Sequence, residues 1–161
     1  MRTGPVIIGF DGAPASVRAV REAGVLFAPR TALVAYVWEA GRTFEGLTLP
    51  EHQLEAPGTL DLDTAFASER AASEEAQQLA EQGATLARTA GLQADALAVP
   101  NEVSVADTLI KLAHSHGAQA VVVGAHERHR LAKLAPSRTL AALLHAAPCP
   151  VVVCGVPTPA D

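Results

Sequence analysis

Aromatic side chains are scarce in this chain of 161 residues, at 4% of the total with a single Trp and a single Tyr. A platform that stacks single-stranded nucleic acid needs several exposed rings in a basic groove, so that class of function is excluded. Positive charge is also short, with 12 Lys and Arg against 17 Asp and Glu for a net −5. Binding by neutralisation of nucleic-acid phosphates draws on the opposite balance, which leaves room only for a local basic patch. Cysteine is limited to Cys149 and Cys154. Within one expected strand they stand roughly 16 Å apart at ~3.3 Å per residue, beyond the ~7 Å that a disulfide spans. Their odd spacing sends them to opposite faces, and neither a C-x-x-C nor a zinc pattern is present. They read as small buried hydrophobes in a reducing compartment. No apolar run approaches the ~20 residues that cross a bilayer, so no membrane partner is expected. The opening Met1-Arg2-Thr3-Gly4-Pro5 lacks the length and cleavage site of a signal peptide, and a cytoplasmic location is expected.

What is present is apolar: 49% hydrophobic and 18% charged residues, a balance that excludes disorder. The length suits one domain over residues 1–161. Four short runs, Val6–Phe10, Ala32–Trp38, Ala120–Gly124 and Pro150–Cys154, are β-branched and almost free of polar residues. Strands buried on both faces read this way. A weaker run over Leu92–Val99 sets Leu97 and Val99 against Ala94, Ala96 and Ala98.

Helical spacing fills the gaps. Val17, Val20, Gly24 and Phe27 recur at steps of three and four until Pro29, and Ala72, Ala76, Leu79, Gly83, Leu86 and Ala90 do so between Thr64 and Ala90, before a stop at Gly91. Ser104 and Asp107 resemble a capping box ahead of Val105, Leu109, Leu112 and Ala113. Pro136-Ser137 opens a last helix whose Leu140, Leu143, Leu144 and Ala147 share a face. This alternation predicts an α/β fold, a doubly wound open sheet of parallel strands with helices on both faces. Only residues 39–63, rich in Gly, Pro and acidic side chains, read as a long variable loop.

In such sheets ligands bind beyond the carboxyl ends of the strands, where the winding reverses. Two segments meet there: Gly9-Phe10-Asp11-Gly12, and Gly124-Ala125-His126-Glu127 with the loop up to Ser137, whose helix presents an amino end to an anion. The stretch from Val6 through Asp11-Gly12-Ala13-Pro14-Ala15-Ser16 resembles the opening of universal stress proteins. Gly117–Gly124 and Ala147-Pro148-Cys149-Pro150-Val151-Val152-Val153 are similar to that family's closing strands. The resemblance implies a five-stranded parallel sheet in the order 3-2-1-4-5, a cytoplasmic role in stress survival or dormancy, and a homodimer through the last strand, here Val151, Val152 and Val153.

Many members bind ATP through Gly-x2-Gly-x9-Gly-Ser/Thr after the fourth strand, with an Asp after the first. Carried over, Asp11 and Gly124 are retained and His126 fits a common residue type. Glu127 replaces the second glycine, Ser137 the third, and Arg138 the Ser/Thr. The implied nucleotide site therefore comprises Gly9, Phe10, Asp11, Val37, Gly124, His126, Arg128, Ser137, Arg138 and Thr139. Phosphate-loop glycines let backbone N–H groups approach an oxyanion, and Glu127 adds like-charge repulsion of ~1 kcal/mol at 4 Å in water. Against this, the loop gathers His126, Arg128, His129, Arg130, Lys133 and Arg138, and arginine forks bind phosphate bidentately.

Other features have plain readings. His126, Glu127 and His129 read as a solvated loop before a metal site, and no metal is expected. His114-Ser115-His116 complements a helix carboxyl end. Asp11 is equally a ligand carboxylate or a turn residue. Trp38 reads as a core or interface ring before a pocket rim. No Ser, His and Asp set, Cys and His set or paired carboxylates emerge, so no enzyme is expected. The leading reading is a non-catalytic homodimer with a degenerate nucleotide loop, acting on an unknown protein partner and requiring no cofactor. The alternative is a nucleotide or anion sensor that takes ATP with Mg through its Arg- and His-rich loop.

Overall fold

The β-branched runs form strands and the segments of helical period form helices. In the computed structural model, which describes residues 3–40, 62–125 and 137–155, the order is β1 (Val6–Gly9), α1 (Pro14–Phe27), β2 (Thr31–Trp38), α2 (Leu62–Thr89), β3 (Gln93–Pro100), α3 (Val105–Ser115), β4 (Ala120–Gly124), α4 (Arg138–Ala146) and β5 (Val151–Cys154). The strands form one parallel sheet in the order β3-β2-β1-β4-β5, the α/β architecture expected from the alternation and the resemblance. The helix α2 begins at Leu62, two residues inside the expected loop; residues 41–61 of that loop lie outside the described residues.

Strand periodicity sorts the core into two layers. Val6, Ile8 and Phe10 point to one face, where Ala19, Val20 and Ala23 of α1 and Ala84 and Ala87 of α2 cover them. Ile7, Ala35 and Val121 point to the other, beneath Leu109 and Ala113 of α3 and Leu143 of α4. Val6, Ile7 and Ile8 are fully buried, because β1 is the central strand and has a helical layer on each side. Burial of side chains this size contributes about 1.5–3 kcal/mol each.

The helices depart from expectation in their rotation. In α2 the fully enclosed stripe is Ala80, Ala84 and Ala87, while Leu79 and Leu86 are half-buried and Ala72 is exposed. The physical reason is proximity: a Cβ on Gly83 would come 2.8 Å from Phe10 and from Val34, so α2 lies against the sheet on small residues and its leucines are pushed to the flanks. In α4 Leu143 reaches the core and Leu144 turns outward.

Helix ends follow local rules. At Gly91, φ is +91°, and the Leu92 N–H donates to Ala87 O while the Gly91 N–H donates to Arg88 O, both at 3.0 Å, closing α2 with a glycine in the left-handed region. Ser104 Oγ accepts from the Asp107 N–H at 3.1 Å and donates to Asp107 Oδ2 at 2.6 Å, realising the expected capping of α3. Cys149 precedes β5 instead of sharing it, since the strand begins at Val151. The two cysteines still belong to opposite layers, Cys154 with α1 and Cys149 with α3 and α4.

Candidate functional site

At the carboxyl end of the sheet, β1 runs into the turn that starts α1. The carboxylate of Asp11 organises this turn. Its Oδ1 accepts from the Ala13 N–H at 2.9 Å and from Ser16 Oγ at 2.6 Å, and Ser16 Oγ lies 3.3 Å from the Asp11 N–H. Ser16 is buried and Asp11 exposed, so the carboxylate is tied to the helix start from the solvent side. The turn role weighed for Asp11 is thus present in the structure. Sequence reasoning missed Ser16; the five-residue spacing from Asp11 to a serine inside the first turn of a helix is the signal that finds it.

Phe10 follows β1, its N–H donating to Ala35 O at 2.9 Å, and its ring is buried in the layer under α1 and α2. Gly9 closes the strand, where a Cβ would press on Val123 and Leu109. Val37 is half-buried in the layer under α3 and α4. Gly124 ends β4 directly against the first turn of α1: a Cβ there would overlap the Ala15 carbonyl and stand 2.9 Å from Ser16 N. This retained signature glycine therefore has a packing reason independent of any ligand.

Ser137 is the N-cap of α4, with φ −60° and ψ 155°, and its Oγ accepts from the Leu140 N–H at 3.1 Å. A cap of this kind contributes about 1 kcal/mol. Arg138 is exposed and Thr139 half-buried in the same turn. His126, Glu127, Arg128, His129, Arg130 and Lys133 lie outside the described residues. Val151, Val152 and Val153 are half-buried on the edge strand β5.

A cavity of about 350 Å³ opens at the end of β2 on the α2 side, lined by Tyr36, Val37, Trp38, Glu39, Ala72, Glu75 and Ala76. Trp38 is half-buried and lines this cavity, so its place is the rim. The carboxylates of Glu39 and Glu75 make the opening unfavourable for a phosphate. Sequence reasoning did not place Glu75 or the alanines of α2 here, because the cavity exists only once α2 lies across the sheet.

Two places among the residues described show electrostatic perturbation. Lys111 donates to Glu102 at 2.8 Å and holds its carboxyl below the usual range, while Glu102 raises the ammonium in return; both are exposed. Burial pushes the Cys154 thiol up, with Glu22 adding to the effect and Arg18 opposing it, which makes it a poor nucleophile at neutral pH. Among the described residues, no group of three His, Cys, Asp or Glu is placed to hold a metal, and no helix is long and apolar enough to cross a membrane.

A search of curated proteins finds no match. Solved structures are similar over nearly the full length. The hypothetical protein MJ0577 aligns at TM-score 0.71 and 12% identity, covering 98% of this chain and 99% of that one. The universal stress protein of Archaeoglobus fulgidus in complex with dAMP aligns at 0.58 and 17%, covering 95% and 98%. An Arabidopsis thaliana universal stress protein family protein with AMP bound aligns at 0.59 and 14%, covering 98% and 97%. Identities this low carry the fold and not the ligand. The universal stress protein family model matches residues 3–155, a span that holds the turn, the sheet and the capped helices, and the chain belongs to the universal stress protein family.

Proposed function

We propose that this chain is a non-catalytic universal stress protein with a degenerate nucleotide loop, acting in the cytoplasm through protein contacts in stress response or dormancy. The observation that carries the reading is the cap of α4. A phosphate site at a helix amino end works because the first N–H groups are unsatisfied and glycine lets the anion approach them. Here the third signature glycine is Ser137, and its hydroxyl already accepts from the Leu140 N–H. Glu127 stands in the sequence where the second signature glycine would, and a carboxylate there adds like-charge repulsion toward a phosphate. Gly124, the one signature glycine retained, has a packing role against α1.

The alternative is a nucleotide sensor using Asp11, His126, Arg128 and Ser137, with arginine forks in place of backbone N–H groups. It is favoured by the adenine nucleotides held by the Archaeoglobus and Arabidopsis proteins. Calorimetric titration of magnesium ATP into nucleotide-free protein separates the two. The proposal expects no saturable heat up to millimolar ligand. A dissociation constant in the micromolar range overturns it, and Asp11→Ala and Arg128→Ala then weaken binding if those groups have replaced the glycines.

The assembly proposed with this function is a homodimer through β5, whose edge position leaves backbone groups that an isologous partner strand would pair. Light scattering that returns a single-chain mass at micromolar concentration overturns this part.

A further inference from the structure

We infer that the opposite sheet edge, β3, is closed against a second copy of the chain by Arg88, Asp95 and Pro100, so that assembly proceeds from β5 alone. The closing of β3 stands on its own geometry, and the exclusive use of β5 rests on the proposed dimer. Successive residues of a strand turn their N–H and C=O groups to alternate sides. The Gln93 N–H donates to Arg30 O at 3.0 Å and the Asn101 N–H to Trp38 O at 2.6 Å. The odd-numbered residues of β3 therefore bond inward to β2, and Ala94, Ala96, Ala98 and Pro100 face outward.

The two ends of this outward row are blocked. At Ala94 the carbonyl is taken by Arg88, whose Nε donates to it at 2.8 Å. The same guanidinium is anchored by Nη1 to Glu81 Oε1 at 2.5 Å. A strand added here would have to displace a charged group from the edge and leave it beside unpaired backbone. At the other end Pro100 has no N–H to donate. Between them Asp95 is exposed, and antiparallel pairing of two β3 strands would bring two such carboxylates onto one short ribbon. The strand β5 has no proline within Val151–Cys154 and no charged residue.

The test compares the wild type with Arg88→Ala/Pro100→Val by light scattering from micromolar to near-millimolar concentration, with circular dichroism to establish folding. The wild type keeps one mass throughout, and the folded double variant reaches about fourfold that mass or more, rising with concentration, because a head-to-tail or edge-to-edge contact that does not close adds copies without limit. A folded double variant at wild-type mass overturns the inference. Amide exchange on the wild type decides independently if the variant does not fold. The Ala96 and Ala98 amides exchange fast and those of Asp95, Leu97 and Val99 slowly; equal protection at all five overturns it. A wild-type mass of one chain removes the dimer; pairing of opened β3 edges then closes at two copies, so the folded double variant at twice the wild-type mass supports the closing of β3 and at the wild-type mass overturns it.

Discussion

Gly124→Ala is expected to destabilise the protein by about 3 kcal/mol, the upper part of the range for overpacking a dense core. The added methyl has no space, because its position overlaps the Ala15 carbonyl and Ser16 N lies 2.9 Å away, all backbone of the first turn of α1. Backbone cannot rotate aside as a flexible side chain does, so either α1 shifts off β4 or the end of β4 bends. For a chain of this size the loss corresponds to a fall in melting temperature of about 6–12 °C, read by scanning calorimetry without ligand. An unchanged melting temperature would dismiss the packing account and return Gly124 to a role in ligand approach.

Phe10→Ala should have the larger effect. The ring is 5% exposed and lies in the layer between the sheet and α2, and truncation of a buried Phe costs about 3–5 kcal/mol, a fall of roughly 6–20 °C here. The site of the lost ring also makes a coupling visible. A Cβ on Gly83 would meet Phe10 at 2.8 Å, so Gly83→Ala alone is destabilising, while in the Phe10→Ala background part of its clash is gone. The double variant should therefore lose less stability than the two single losses added together, by the excess that a double-mutant cycle measures between touching residues. Strict additivity in denaturant melts would show that α2 does not pack on this ring.

These two residues illustrate what the sequence makes legible. Phe10 and Gly124 stand at positions the family resemblance assigns to a nucleotide site, and the structure gives each a structural reason for being there. The strands were legible because a parallel sheet covered on both faces demands unbroken β-branched runs, and little else produces them. The rotation of α2 was not, since spacing rules rank Leu79 and Leu86 above alanine, whereas the approach of the helix to Phe10 and Val34 selects small side chains. The cavity beside Trp38 depends on which helix crosses which strand end, and a pattern read along one segment holds no information about that. Asp11 lay between: its type and its place after a strand predicted a turn or a ligand, and the hydrogen bonds to Ala13 and Ser16 show the turn role.

The strand order carries a consequence for synthesis. The central strand β1 pairs on one side with β2, Val6 beside Ala32, and on the other with β4, Val6 beside Ala120. The first partner leaves the ribosome soon after β1, but the second follows only after 120 − 6 = 114 further residues. At ~5–20 residues per second that interval is roughly 6–23 s. Throughout it, the central strand of the sheet has one open edge and a half-built layer, the condition in which nascent chains aggregate or recruit chaperones. This member of the universal stress protein family thus passes through its most aggregation-prone state during its own translation.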